Sequence, residues 1–217
     1  MCMGVNNDIP KVLNRLSREK SRTMLGSFST KYDPWRILIG TILSARARDE
    51  VTEPLCEELF KRYPNAKALA NARQKEVEQQ IRRIGFYRNK AKHIINASKM
   101  IVENYHGKVP ESMEELLHLP GVGRKVAGCV LVYAHNKDAI PVDTHVHRLS
   151  NRLGWVKTKT PEQTEQKLMQ IVPKKYWQVV NDYLVWHGKT TCKPITPECS
   201  RCMVRQWCKR VDVTKWK

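Results

Sequence analysis

Three groups of residues have the types and spacing for chemistry. The first is Leu119-Pro120-Gly121-Val122-Gly123-Arg124-Lys125, in which two glycines bracket one apolar residue just before a helical pattern. Glycine permits a tight turn, and its missing side chain lets backbone N–H groups approach a phosphate while the helix end adds positive potential. Gly-x-Gly alone is more often an ordinary turn, so the flanking residues matter. Lys125 falls in the first turn of the second helix, where the positive helix end and neighbouring Arg124 both disfavour another cation. Both effects favour the neutral amine, the form that attacks carbon. The competing reading is an exposed lysine that contacts phosphate.

The second group, Pro141-Val142-Asp143-Thr144-His145-Val146-His147-Arg148, begins sixteen residues after Lys125. Asp143 precedes a helical pattern, so it suits an N-cap. A carboxylate fixed at a helix entrance also stabilises a developing sugar cation and manages protons, and the two roles are compatible. His145 and His147 fall on different faces of a helix, which argues against a shared metal. The third group is Cys192-x6-Cys199-x2-Cys202-x5-Cys208. Four crowded thiols without a secretion signal read as metal ligands rather than disulfides. Only one pair has the C-x-x-C spacing common in structural zinc modules, whereas four thiolates within seventeen residues suit an iron–sulfur cluster. Spacing alone leaves iron–sulfur and zinc both open. Lys193, Arg201, Arg205, Lys209 and Arg210 make the same loop a cationic surface.

Helices must position these groups, because the apolar periodicity is helical almost throughout and no stretch alternates like a half-buried strand. Asp33-Pro34 offers a cap and a first-turn proline ahead of Leu38, Ile39, Ile42 and Leu43. Val51, Leu55 and Leu59 continue before Pro64, and Val77, Ile81 and Ile84 end at Gly85, which suits a left-handed C-terminal position. Ile94 to Tyr105 form a stripe closed by Gly107. Ser112-x-x-Glu115 and Thr160-x-x-Gln163 have capping-box spacing. Helices are expected to begin near Arg124 and near Asp143, the latter ending before Gly154. The last long helix, with Val179, Val180, Tyr183 and Leu184, is expected to end at Gly188. The fold class is all-α.

The 217 residues carry 39 Lys plus Arg against 21 Asp plus Glu, a formal charge of +18, with 41% hydrophobic residues. That composition excludes disorder as the main state. The charge points to a polyanionic partner, nucleic acid foremost, because each neutralised phosphate releases counterions. The longest apolar run, Val126 to Ala134, has nine residues, far below the ~20 needed to span a bilayer. The first residues carry Asp8 and no apolar core of a secretion signal. We expect no membrane partner and an intracellular location: cytoplasm or nucleoid in a prokaryote, nucleus or mitochondrion in a eukaryote.

Helix, Leu-Pro-Gly-x-Gly, helix in so basic a chain resembles the helix-hairpin-helix motif, which holds a DNA backbone without reading bases. Together with Trp35 to Ala45, Val142-Asp143-Thr144-His145 and the four cysteines, it resembles the endonuclease III family of DNA repair glycosylases over nearly the whole chain. The resemblance implies two helical domains with a DNA-binding cleft between them: a six-helix domain at 28–137 containing the hairpin, and a domain of 1–27 plus 138–217 with the metal loop. It implies a [4Fe-4S] cluster on Cys192, Cys199, Cys202 and Cys208 rather than zinc. Lys125 then corresponds to the Schiff-base nucleophile, Asp143 to the essential carboxylate and Asp49 to an acidic residue of the pocket.

The resemblance further implies DNA contacts from Gly121, Val122, Gly123, Arg124, Lys193 and Arg201, with Arg46 and Phe86 filling the hole left by an extruded nucleotide. Bacterial members commonly carry glutamine and leucine at those last two positions, which puts substrate and opposite-base preference in question. The implied activity is a bifunctional DNA glycosylase/AP lyase acting, as a monomer, on duplex DNA with damaged pyrimidines or abasic sites. The alternatives are a mismatch glycosylase removing thymine or uracil opposite guanine, disfavoured in monofunctional form by Lys125, and a non-catalytic iron–sulfur DNA-binding protein.

Overall fold

The computed structural model describes residues 8–19 and 23–217. Cys2 and most of the segment read for a secretion signal lie outside the described residues. Among those residues the chain forms helices, short 3-10 turns and loops, without a strand. It divides into two compact units, Met24–Lys137 on one side and the segment to Thr23 together with Asp138–Lys217 on the other.

The 24–137 unit is built around α3 (Pro34–Ser44), where Asp33 accepts the Arg36 N–H at 3.1 Å and Pro34 occupies the first turn. Trp35, Ile37, Leu38, Ile39, Ile42 and Leu43 are all buried. A helix apolar all round must lie at a centre, and α3 packs against α2 (Met24–Lys31), α4 (Asp49–Arg62), α7 (Tyr87–Asn104) and α9 (Arg124–His135). Trp35 Nε1 donates to Ser98 Oγ at 3.1 Å, so the buried indole is satisfied. The remaining helices are α5 (Ala66–Ala70), α6 (Gln74–Ile81) and α8 (Met113–His118).

The unit thus has eight helices, two more than the six read from the sequence. The additional ones are α2, whose Gly, Ser and Thr blur its period, and α5, a single turn too short to show one. A boundary at residue 28 would cut α2; the break falls before Met24 instead, because Met24, Leu25 and Phe28 are buried in this unit's core.

In the other unit, Ile9, Val12, Leu13 and Leu16 of α1 (Asp8–Leu16) are buried with Val146, Leu149 and Leu153 of α10 (Thr144–Leu153), Leu168 of α11 (Pro161–Ile171) and Val180 and Leu184 of α12 (Trp177–Thr190). Two expectations at glycines fail. The left-handed residue after α6 is Phe86 (φ 58°), not Gly85. And α12 runs past Gly188 to Thr190: there the glycine admits a neighbour, since a Cβ would lie 2.7 Å from His145 Nδ1.

Candidate functional site

The segment Leu119–Gly123 forms the turn between α8 and α9. Val122 N–H closes it on Leu119 O at 3.1 Å, and both side chains are buried. Gly121 takes φ +81°, and a Cβ there would sit 2.8 Å from His93 Cβ, so both backbone and space demand glycine. Gly123 differs. It is the N-cap of α9, gives no side-chain cap, and a Cβ on it would meet nothing within 4 Å. Nothing inside the protein requires glycine here; a backbone-hugging partner at the open helix end would. Arg124 is exposed and Lys125 half-buried in the first turn of α9.

Two loops of the same unit present residues in the left-handed conformation. Arg46 (φ 53°) is exposed in the turn after α3, closed by Ala47 N–H to Ser44 O at 3.0 Å. Phe86, 63% exposed, is the N-cap of α7. A bulky residue at positive φ is strained, and such strain marks positions fixed by their surroundings. Asp49 opens α4, half-buried, with Oδ2 3.4 Å from Met24 N.

Asp143 lies in the other unit, where its Oδ1 accepts the His145 and Val146 N–H groups at 2.8 Å each. It is the N-cap of α10, and burial lowers the pKa of His145 while Asp143 opposes the shift. His145 and His147 point to different partners, Arg148 and Thr164 respectively.

The four C-terminal cysteines line one cavity as free thiols. Burial raises the Cys202 thiol to about 11, helped by its neighbouring cysteines. Among the described residues no three His, Cys, Asp or Glu side chains converge closely enough to hold a single ion. The soft, unpaired donor set nevertheless fits a cluster bound round the cavity, since thiolates stripped of protons need a cation beside them. Sequence reading missed the supports of this loop. Buried Arg152 donates to Lys193 O at 2.7 Å and Pro194 O at 2.5 Å, with Nη1 3.5 Å from Cys192 Sγ. Arg148 donates to Cys192 O at 3.0 Å. Buried His187 links Glu19 Oε1 (2.9 Å from Nδ1) to Cys202 Sγ (3.4 Å from Nε2). Two arginines four apart on a helix whose other face is apolar were the available signal.

Lys193 and Arg201 share a carboxylate. Lys193 Nζ lies 2.6 Å from Glu198 Oε1, and Arg201 bonds the other oxygen. Lys193 first, then Arg201, hold Glu198 below the usual carboxylate range.

Residues 39–174 match the HhH-GPD superfamily of base excision DNA repair proteins. The chain is 48% identical to endonuclease III of Thermotoga maritima over 176 residues, covering 81% of this chain and 83% of that protein. It is 44% identical to endonuclease III of Synechocystis sp., covering 81% and 80%. The solved structure of a trapped endonuclease III–DNA covalent intermediate, an estranged-adenine complex, superposes with a TM-score of 0.87 at 33% identity, over 96% of this chain and 97% of that one. The chain belongs to the endonuclease III family. No helix among the described residues is long and apolar enough to cross a membrane.

Proposed function

We propose that this chain, a base-excision-repair DNA glycosylase with AP lyase activity by family, works on duplex DNA carrying damaged pyrimidines or abasic sites, with Lys125 as nucleophile. The carrying observation is the α8–α9 turn: Gly123 leaves a helix end open to phosphate, and Lys125 follows within that helix's first turn. The damaged nucleotide is extruded, at a cost lowest where its pairing is already weak. The Lys125 amine attacks C1′ and the base departs. Opening of the C1′–O4′ bond, with a proton delivered to O4′, converts the resulting aminal into an iminium that acidifies C2′, whose proton is lost as the 3′ phosphate leaves. Asp143, held by two backbone N–H groups, keeps a carboxylate oriented to stabilise positive charge at the sugar. Arg46 and Phe86 fill the vacated stack, and Asp49 lines the pocket.

Cys192, Cys199, Cys202 and Cys208 would hold a [4Fe-4S] cluster. When bound, it supplies a covalent tie for the 192–208 loop. Arg148 anchors the carbonyl of Cys192, and Arg152 those of Lys193 and Pro194. Lys193, Arg201 and Arg124 meet phosphates.

The test is borohydride trapping on an abasic duplex. Wild type should give a covalent complex, and Lys125→Gln should give none while retaining DNA binding. Undiminished trapping by the variant would sink the assignment.

A further inference from the structure

We propose that Lys90 is a positioning residue that ties together the two loops presenting Arg46 and Phe86, so that both enter the duplex as one unit. This rests on reading Arg46 and Phe86 as the residues that fill the vacated stack.

Lys90 is only 6% exposed, in the first turn of α7. Its backbone N–H donates to Phe86 O at 3.0 Å, and its Nζ donates to Leu43 O at 2.8 Å. The first bond fixes the peptide that carries Phe86. The second reaches the last turn of α3, three residues before Arg46. There the helix leaves carbonyls without intrahelical partners, and its negative end favours a cation. Ala47 N–H turns back to Ser44 O, so Leu43 O is met by the lysine instead. One residue therefore bonds Phe86 (φ 58°) through its backbone and, through its side chain, the helix turn that leads into Arg46 (φ 53°).

A buried ammonium has to recover the cost of leaving water. No carboxylate pairs with Lys90 among the described residues; burial lowers its pKa, opposed by the Cys56 thiol of α4. Charge-assisted bonding to the α3 terminus is what offsets that cost. A methionine would fill the same space without it, so the charge serves the loop ends rather than the core.

The experiment compares wild type, Phe86→Ala, Lys90→Met and the double variant on a duplex with one abasic site opposite each of the four bases, and on the abasic strand alone. Amide exchange of segments 44–49 and 84–90 is followed in parallel. Lys90→Met should slow cleavage of the duplex by about tenfold, the loss of one hydrogen bond to a charged group, and narrow the spread among opposite bases. Cleavage of the single strand should hold, exchange should rise in both segments together, and the double variant should be no slower than the slower single one. Lys90→Gln, keeping a shorter neutral donor, should show the same pattern and serves if the methionine variant unfolds. Wild-type exchange in either segment, or equal losses on both substrates, would overturn the tie. Raised exchange with Phe86→Ala active as wild type would uphold the tie and instead refute the stacking role of Phe86.

Discussion

Asp143 combines a structural and a chemical duty that one substitution separates. Asparagine caps a helix about as well as aspartate, so Asp143→Asn should leave the melting temperature nearly unchanged while lowering turnover by orders of magnitude. A fall in activity only in step with lost folded protein would reduce Asp143 to a cap. The two hairpin glycines separate in the same way. Gly121→Ala must force alanine into a left-handed conformation, at about 1–2 kcal/mol, and against His93, so thermal stability should drop. Gly123→Ala meets open space and should keep stability but weaken binding to abasic duplex at every sequence, read by fluorescence anisotropy. At this scale the sequence was informative where a residue's role is chemical and local: the cap at Asp143 and the turn at Gly121 follow from residue type. Phe86 was not legible as a left-handed residue, because Gly85 beside it is the better candidate on intrinsic grounds. Phe86 instead begins α7, its carbonyl accepting the Lys90 N–H, while the Lys90 side chain reaches Leu43 O, 47 residues earlier.

The start of the 192–208 loop is held by two arginines of α10. Arg148 and Arg152 bind four carbonyls between them: Gly188, Cys192, Lys193 and Pro194. Arg152→Met should therefore loosen the loop even with all four cysteines present, seen as faster amide exchange in 192–198. Glu198 sets the loop's charge. Glu198→Gln would release Lys193 and Arg201 from their shared carboxylate, tightening DNA binding and steepening its salt dependence, each added phosphate contact contributing about 0.9 to the slope of log K against log salt. Unchanged slope would show that neither cation reaches DNA. Helices with a long apolar stripe or a capping residue, such as α3, α10 and α11, are legible in sequence. Short α5 and serine-rich α2 are not, since their burial is decided by partners far along the chain. Helix α1 did carry a signal, apolar residues at 9, 12, 13 and 16, though its role in the core depends on residues beyond 138.

For the molecule as a whole, the formal charge of +18 makes any measured affinity a statement about ionic strength. The purified protein should be yellow-brown with about four irons per chain. Removing them should expose 192–208 to protease while amides of α3 and α9 keep their protection, because those helices belong to the other unit. The division into units was expected from the resemblance, not from any linker, since no Pro, Gly or Ser tract marks the joins. One of the units is interrupted in sequence: the apolar face of α1 is covered by residues from Ile140 onward. During synthesis that face emerges first and waits for its cover through more than a hundred residues, on the order of ten seconds at ribosomal speed. Residues 24–137, by contrast, have all their partners at hand as soon as they leave the tunnel. Nascent chains halted once Lys137 has cleared the tunnel should therefore contain a protease-resistant interior segment preceded by a cleavable α1, a client that a chaperone would recognise until the residues from 138 onward arrive.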